Sequence, residues 1–306
     1  MKKYNLKNIA GLSLVEMLIG IVITSMMILA IITSYNVVNK SYSQVTDRAK
    51  ISRSGRDIVE MMMRDIRMAG FRYILGTNTI GTSPYMPTRS YLEFKGGDTT
   101  IFESHDPIII EKNVLGFSVD GSADPEPKHE DDDLCCDRIH IVYDDFNQNH
   151  ETQPYKRYKI TYFAKKVDEG GDKRYAVFKT VQSWIQEIGD DTGVWTTDDC
   201  PECYVEQKVR DHVVDMEFIP FDIEGRKINP LEATPENELE ANRQKIYDIR
   251  VVDVRLTFRS KKEFFRTDKP RPVKGISNRI DTRIPDKYLR DSVVVTIHTR
   301  NIGDGI

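Results

Sequence analysis

The 306-residue sequence lacks the short motifs that mark common catalytic and cofactor sites. It contains no phosphate-binding glycine loop, no dinucleotide fingerprint, no HExxH zinc motif and no nucleophile elbow. Its six histidines are scattered along the chain and form no constellation. We therefore expect neither an enzyme nor a bound cofactor.

A large charge of either sign is also missing. The net charge is only −4, so the chain offers no broad basic field for duplex DNA. Nucleic acid is therefore not an expected partner.

Charged residues are nearly absent from the N-terminal stretch. Between Lys7 and Lys40 the only charge is Glu16. Residues 12–32 are long and apolar enough to cross the hydrocarbon layer as a helix that rises about 1.5 Å per residue. The basic residues before them would stay on the cytoplasmic side, and the bulk of the chain would be exported.

Proline is absent before Pro84, so one helix can continue beyond the membrane segment. Further along, apolar or small residues recur at steps of four and three: Ile51, Gly55, Ile58, Met62, Ile66 and Ala69. This spacing is one face of an amphipathic helix. We predict a single helix over residues 12–69, with a transmembrane half and an amphipathic half, that ends at Gly70.

After Gly70 the pattern changes to short strand-like runs, and the later ones alternate apolar and polar residues. The runs lie at residues 91–94, 100–103, 108–110, 115–119, 139–143, 158–162, 214–218 and 252–258. Alternation is typical of half-buried antiparallel strands. The predicted fold class is α+β, in which residues 70–306 form a head whose antiparallel β-sheet packs on the amphipathic half of the long N-terminal helix.

A small residue stands on the unusual side of the apolar run. An ordinary secretory signal is cut after its apolar region, whereas here Gly11 precedes it and is followed by Leu12-Ser13-Leu14-Val15-Glu16. This order resembles the class III signal of type IV pilins and their type II secretion relatives, with Leu12 in place of the commoner phenylalanine. The resemblance implies that prepilin peptidase removes residues 1–11, that the new amino terminus at Leu12 is methylated, and that Glu16 becomes the fifth mature residue. A plain single-span anchor is the alternative.

The carboxylate of Glu16 needs a physical reason to lie at the start of an apolar helix. An unpaired charge in lipid costs several kcal/mol. Side by side in the membrane, the Glu16 carboxylate of one subunit could pair with the amino group at Leu12 of its neighbour. Assembly would then be coupled to the neutralisation of charge.

Stretches of the head resemble the PilW-type minor pilins of type IV pili. They lie at residues 54–71, 213–225, 249–260 and 295–301, and the wording Arg67-Met68-Ala69-Gly70-Phe71 favours this branch. The resemblance implies an inner-membrane protein with a periplasmic head, which joins other minor pilins, the major pilin and the inner-membrane assembly platform in a complex at the pilus tip. The GspJ-type pseudopilins of type II secretion share this architecture. A membrane-anchored adhesin that acts alone is a further alternative.

Cysteine is scarce, and its four positions fall in two close pairs: Cys135, Cys136, Cys200 and Cys203. Thiols of an exported head usually form disulfides, and three connectivities are possible. A bridge between Cys200 and Cys203 is sterically easy, a bridge between Cys135 and Cys136 would require a strained eight-membered ring, and crossed bridges would join two loops. A redox motif and a four-thiolate zinc site are less favoured alternatives.

One oxygen-rich stretch has the spacing of half a calcium loop. Its candidate ligands are Asp145, Asn147, Asn149 and Glu151. However, His150 stands where the sharp turn of such a loop needs glycine, and no glutamate occupies the twelfth place. The other interpretation is a hairpin turn between two strands, and no resident metal is expected.

We predict that the mature protein begins at Leu12 and carries an N-methyl group, which mass spectrometry will detect. The Gly11→Val variant should keep its leader, because a branched side chain fills the space in which the peptidase approaches the backbone. A mature protein that retains Met1, or a shortened Gly11→Val product, would contradict this prediction.

Overall fold

The computed structural model describes residues 13–71, 107–114, 135–146, 155–169, 172–185, 194–198, 200–228, 246, 248–265, 267–269, 276 and 287–302. Contacts divide the chain into two compact units, Met1–Lys50 and Ile51–Ile306.

Helix α1 spans Leu14–Met68 and confirms the long helix predicted from the sequence. It ends at Gly70, whose φ of +74° is readily available only to glycine. A side chain at this position would also collide with the chain end, because an added Cβ would lie 3.0 Å from Ile302 Cγ1 and 3.1 Å from the Asn301 carbonyl oxygen. The amide of Gly70 donates to the carbonyl of Val142, which ties the helix end to the sheet.

Among its described residues, the second unit contains an antiparallel sheet of eight strands. Its strands are β1 (Ile108–Glu111), β2 (Arg138–Phe146), β3 (Tyr155–Glu169), β4 (Asp172–Ile185), β5 (Val194–Thr196), β6 (Tyr204–Phe221), β7 (Val251–Arg259) and β8 (Arg290–His298). Their order is β1-β2-β3-β4-β6-β7-β8, and β5 pairs with β4 beside this path.

The strands predicted from alternation are confirmed as parts of β2, β3, β6 and β7, and the run at 108–110 is confirmed as β1. The family-like stretch at 295–301 overlaps β8, which begins earlier and ends at His298. The runs predicted at 91–94, 100–103 and 115–119 lie outside the described residues. Strands β4 and β5 were not predicted.

The main core of the second unit lies between the C-terminal part of α1 and one face of the sheet. The helix contributes Ile58, Met62 and Ile66, all buried, and the strands supply buried partners such as Ile141 and Leu256. The predicted α+β arrangement, with the amphipathic helix face packed on an antiparallel sheet, is therefore confirmed.

Gly55 marks the closest approach of the helix to the sheet. A Cβ added there would lie 3.1 Å from Phe258 Cε2 and 3.1 Å from Val293 Cγ2. The absence of a side chain at Gly55 therefore lets β7 and β8 pack directly against the helix backbone.

Strand β6 is bent and pairs with a different strand along each half of its length. Its first half pairs with β4 and its second half with β7, and the register shifts between Val213 and Asp215. His212, next to this shift, has a φ of +62°, which fits a β-bulge that turns the strand.

We predict that Met62→Ala destabilises the head by about 2–5 kcal/mol, because the cavity left by a fully buried methionine is not refilled. Met61→Ala is the matched control on the adjacent residue, which is 38% exposed, and should change stability by less than about 0.5 kcal/mol. Thermal unfolding of the full chain in detergent will measure both. Equal effects of the two substitutions would show that the helix does not pack as described.

Candidate functional site

The start of α1 is closed by a reciprocal pair of hydrogen bonds between Ser13 and Glu16. The Ser13 amide donates to Glu16 Oε2 at 3.0 Å, and the Glu16 amide donates to Ser13 Oγ at 3.2 Å. This geometry is a capping box, which satisfies two amides that the first helical turn would otherwise leave without partners. The negative charge of Glu16 also lies at the positive end of the helix dipole.

Glu16 therefore has a local role that the sequence analysis did not anticipate. Its signal was the Ser-x-x-Glu spacing directly before an apolar run. The residue is exposed, so the carboxylate stays within reach of a second group. Gly11 and Leu12 lie outside the described residues, and the processing site and the pairing of Glu16 with Leu12 stay predictions.

The N-terminal part of α1 buries none of its apolar side chains within the described part of the protein. Every residue from Ser13 to Tyr42 is exposed, including a near-continuous series of isoleucine, leucine, valine and methionine. By length and composition this helix can cross a membrane. Three of its hydroxyl groups find partners within the helix, since Thr24, Ser25 and Thr33 donate to carbonyls four residues earlier. An N-terminal helix of this kind indicates a membrane anchor.

A buried polar group fixes the C-terminal part of α1 on the sheet. Asp65 accepts from the Tyr162 hydroxyl at 2.5 Å and from the Lys179 ammonium at 2.7 Å. Burial and the neighbouring Asp65 charge raise the pKa of Tyr162, so its hydroxyl stays protonated and donates. Tyr162 and Lys179 are direct cross-strand partners on β3 and β4. Because three elements meet at one carboxylate, a slip of any of them would leave a buried charge unpaired.

The four cysteines form two local bridges, Cys135 to Cys136 and Cys200 to Cys203. Of the connectivities that the sequence left open, these are the two local ones, and they include the adjacent bridge whose eight-membered ring was expected to be strained. The backbone accommodates this ring with a φ of +121° at Cys135, a conformation that pattern analysis does not reveal. Crossed bridges are absent, because both pairs are closed locally and no cysteine is free.

A fully buried carboxylate follows the first bridge and joins three segments. Asp137 accepts from the Lys112 ammonium at 2.6 Å, from the Phe218 amide at 3.0 Å and from the Asn113 amide at 3.2 Å. Its own amide donates to the carbonyl of Met216 at 2.7 Å. These bonds connect β2 to β6, which is not its neighbour in the sheet, and to the turn after β1.

Only one of the four candidate calcium ligands lies among the described residues. Asp145 is exposed near the end of β2, and Asn147, Asn149 and Glu151 lie outside the described residues. Phe146 of β2 pairs with Tyr155 of β3, which confirms the hairpin interpretation of this stretch. Among the described residues no group of histidine, cysteine, aspartate or glutamate side chains could hold a metal ion.

The outer face of the sheet, directed away from α1, carries a cluster that the sequence analysis missed. We call Lys159, Gln182, Trp184 and Trp195 the tryptophan cluster. Lys159 and Gln182 are cross-strand partners on β3 and β4, and Trp184 and Trp195 are partners on β4 and β5. The Lys159 ammonium lies 4.7 Å from the centroid of the Trp195 ring, and the two indoles meet edge to face at 5.1 Å. Burial lowers the pKa of Lys159 to about 8.

Comparisons with known proteins give little beyond this geometry. No family model matches the chain, and no curated protein matches it. Among solved structures, the chain is similar to a type IV-like pilin from Thermus thermophilus, with 9% sequence identity and a TM-score of 0.37 over 83% of this chain and 98% of that chain.

Proposed function

We propose that this chain is a minor pilin of the PilW type. In this proposal prepilin peptidase cuts after Gly11, residues 12–32 anchor the protein in the inner membrane, and the periplasmic head joins other minor pilins in a tip complex that promotes assembly of a type IV pilus. The chain would act as a structural subunit and not as an enzyme.

The observation that carries the proposal is the division of one helix into two differently exposed parts. In the described part of the chain, residues 13–42 expose their apolar side chains, whereas from Ile51 onward one apolar face of the helix is buried against the sheet. A subunit that is stored in a membrane and then packed into a fibre needs a helix surface that lipid or neighbouring helices can cover in turn. The order of Gly11, Leu12 and Glu16 in the sequence supports the same function.

The size of the head favours a place at the end of the fibre. The sequence predicts three polar insertions at residues 121–137, 229–244 and 261–287, with acidic residues or prolines. A subunit repeated along a shaft must fit between neighbours on all sides, whereas a subunit at the end has one side free. The contacts with other minor pilins would then come from the head.

We predict that deletion of this chain lowers the number of pili but leaves the major pilin stable in the membrane. Crosslinks should join the head to other minor pilins, and labelled protein should lie at fibre ends. Regular labelling along the shaft would overturn the tip assignment. Normal piliation with loss of type II secretion would favour the GspJ-type alternative, and loss of surface binding alone would favour the adhesin.

A matched pair of substitutions separates the two roles of Glu16. Glu16→Gln keeps a side chain that can close the capping box but removes the charge, whereas Ser13→Ala keeps the charge and removes the cap. We predict that Glu16→Gln strongly reduces incorporation into pili and that Ser13→Ala, which costs about 1 kcal/mol of helix stability, does not. Quantitative immunoblots of sheared pili and of membranes will measure incorporation. Normal incorporation of Glu16→Gln would show that the charge has no part in assembly.

A further inference from the structure

The tryptophan cluster combines half-buried rings with a fully enclosed amide. Lys159, Trp184 and Trp195 are half-buried, whereas Gln182 is only 1% exposed. Since Gln182 is the direct cross-strand partner of Lys159, their side chains leave the same face of the sheet about 5 Å apart. The lysine and the two rings therefore form the accessible part of the cluster, and the amide forms its floor.

Within the described part of the chain, two polar groups of this cluster have no hydrogen-bond partner. Both the nitrogen and the oxygen of the Gln182 side chain are buried without one. The Lys159 ammonium makes no ion pair or hydrogen bond with any described residue, and its contact is with the ring of Trp195. A buried polar group without a partner costs about 1–3 kcal/mol. By contrast, the buried carboxylates Asp65 and Asp137 each accept from two or more donors.

The neighbouring charges leave Lys159 as the available cation. Arg157 lies two positions earlier on the same face of β3, but its guanidinium is held by Asp144 in two hydrogen bonds at 2.5 Å and 2.9 Å. An anion that approaches this face would therefore meet Lys159 without competition from a bound carboxylate.

We propose that the tryptophan cluster is a binding site for an acidic saccharide. The Lys159 ammonium pairs with the carboxylate of a sugar acid, the Gln182 amide serves a hydroxyl as donor and acceptor at once, and an indole ring packs on the apolar face of the sugar ring. The Lys159 side chain, held only by a ring, moves aside by rotation to admit the sugar to Gln182.

The position of the cluster favours a sugar over a peptide. At Gln182, strand β4 is paired on one side with β3 and is flanked on the other by its pairings with β5 and β6. At Gln182 itself, a peptide therefore finds no strand edge on which to extend the sheet. Recognition must therefore come from side chains on the face of the sheet, and the cluster supplies a cation, an amide and two aromatic rings.

The chain reports on this site without a label, because Trp184 and Trp195 are its only two tryptophans. We expect sodium glucuronate to change the tryptophan fluorescence of the full chain in detergent in a saturable manner. Glucose, which lacks the carboxylate, should bind at least about tenfold more weakly. Inorganic phosphate, which carries charge without a ring, should also bind at least about tenfold more weakly.

Substitutions assign the signal to the proposed contacts. Lys159→Met should weaken glucuronate binding at least about tenfold. The substitution removes a partly buried charge that has no polar partner among the described residues, so the variant should fold. Circular dichroism will check its fold. Lys227→Met is the matched control at an exposed lysine outside the cluster and should bind as the unaltered chain does. Gln182→Met should weaken binding of glucuronate and glucose alike.

Several outcomes would overturn the proposal. If the tryptophan fluorescence does not respond to glucuronate, the cluster is not a binding site for an acidic saccharide. Equal binding of glucuronate by the Lys159→Met and Lys227→Met variants would show that Lys159 is not the cation that binds the carboxylate. Equal affinity for phosphate and glucuronate reduces the cluster to a simple anion site, and a response to an acidic peptide alone would replace the saccharide with a protein partner.

Discussion

Burial of one face of α1 between residues 51 and 69 is the interaction on which the rest of the head depends. The sheet contributes the opposite wall of the main core, and Gly55 allows the helix to approach β7 and β8 closely. The C-terminal segment also takes part in this packing, because Ile302 is buried in the same core. The amide of Asn301, for example, donates to the carbonyl of Arg67 and so caps the last helical turn with the C-terminal segment.

Apolar burial alone would not fix the register of this packing, because isoleucine and methionine tolerate small shifts. Buried carboxylates provide the missing specificity. Asp65 accepts from groups on two strands, and Asp137 accepts from a lysine and two backbone amides. Removal of one partner would leave a charge in the core at a cost of about 3–5 kcal/mol. The arrangement of helix and sheet that keeps these bonds is thereby favoured over arrangements that are shifted in register.

The parts of this fold that follow a single period could be predicted from the sequence. The helix face and strands β2, β3, β6 and β7 place apolar residues on one face and polar residues on the other. Strand β4 does not follow this pattern, because Thr180 and Gln182 are buried on the outer face while Val181 is buried on the inner one. The polarity of a residue in β4 therefore does not indicate which face of the sheet it occupies. The same loss of pattern hid the tryptophan cluster, which exists only because β3, β4 and β5 are paired in one register.

The capping box at Ser13 could have been predicted from four residues of the sequence, whereas the adjacent bridge at Cys135 depends on a backbone angle that sequence pattern does not give.

The capping role of Glu16 that the structure shows and its proposed role in assembly differ in strength. A capping box contributes about 1 kcal/mol in water, since it exchanges hydrogen bonds with solvent for internal ones. A carboxylate in an apolar environment costs several kcal/mol, and backbone amides of its own helix lower this cost without removing the charge. The Ser13 bond can therefore hold Glu16 in place, but it leaves the negative charge, which a positive group would pair with in the assembly proposed above. A neighbouring amino terminus, as proposed above, would supply that positive group, and the exposed position of Glu16 leaves its carboxylate within reach.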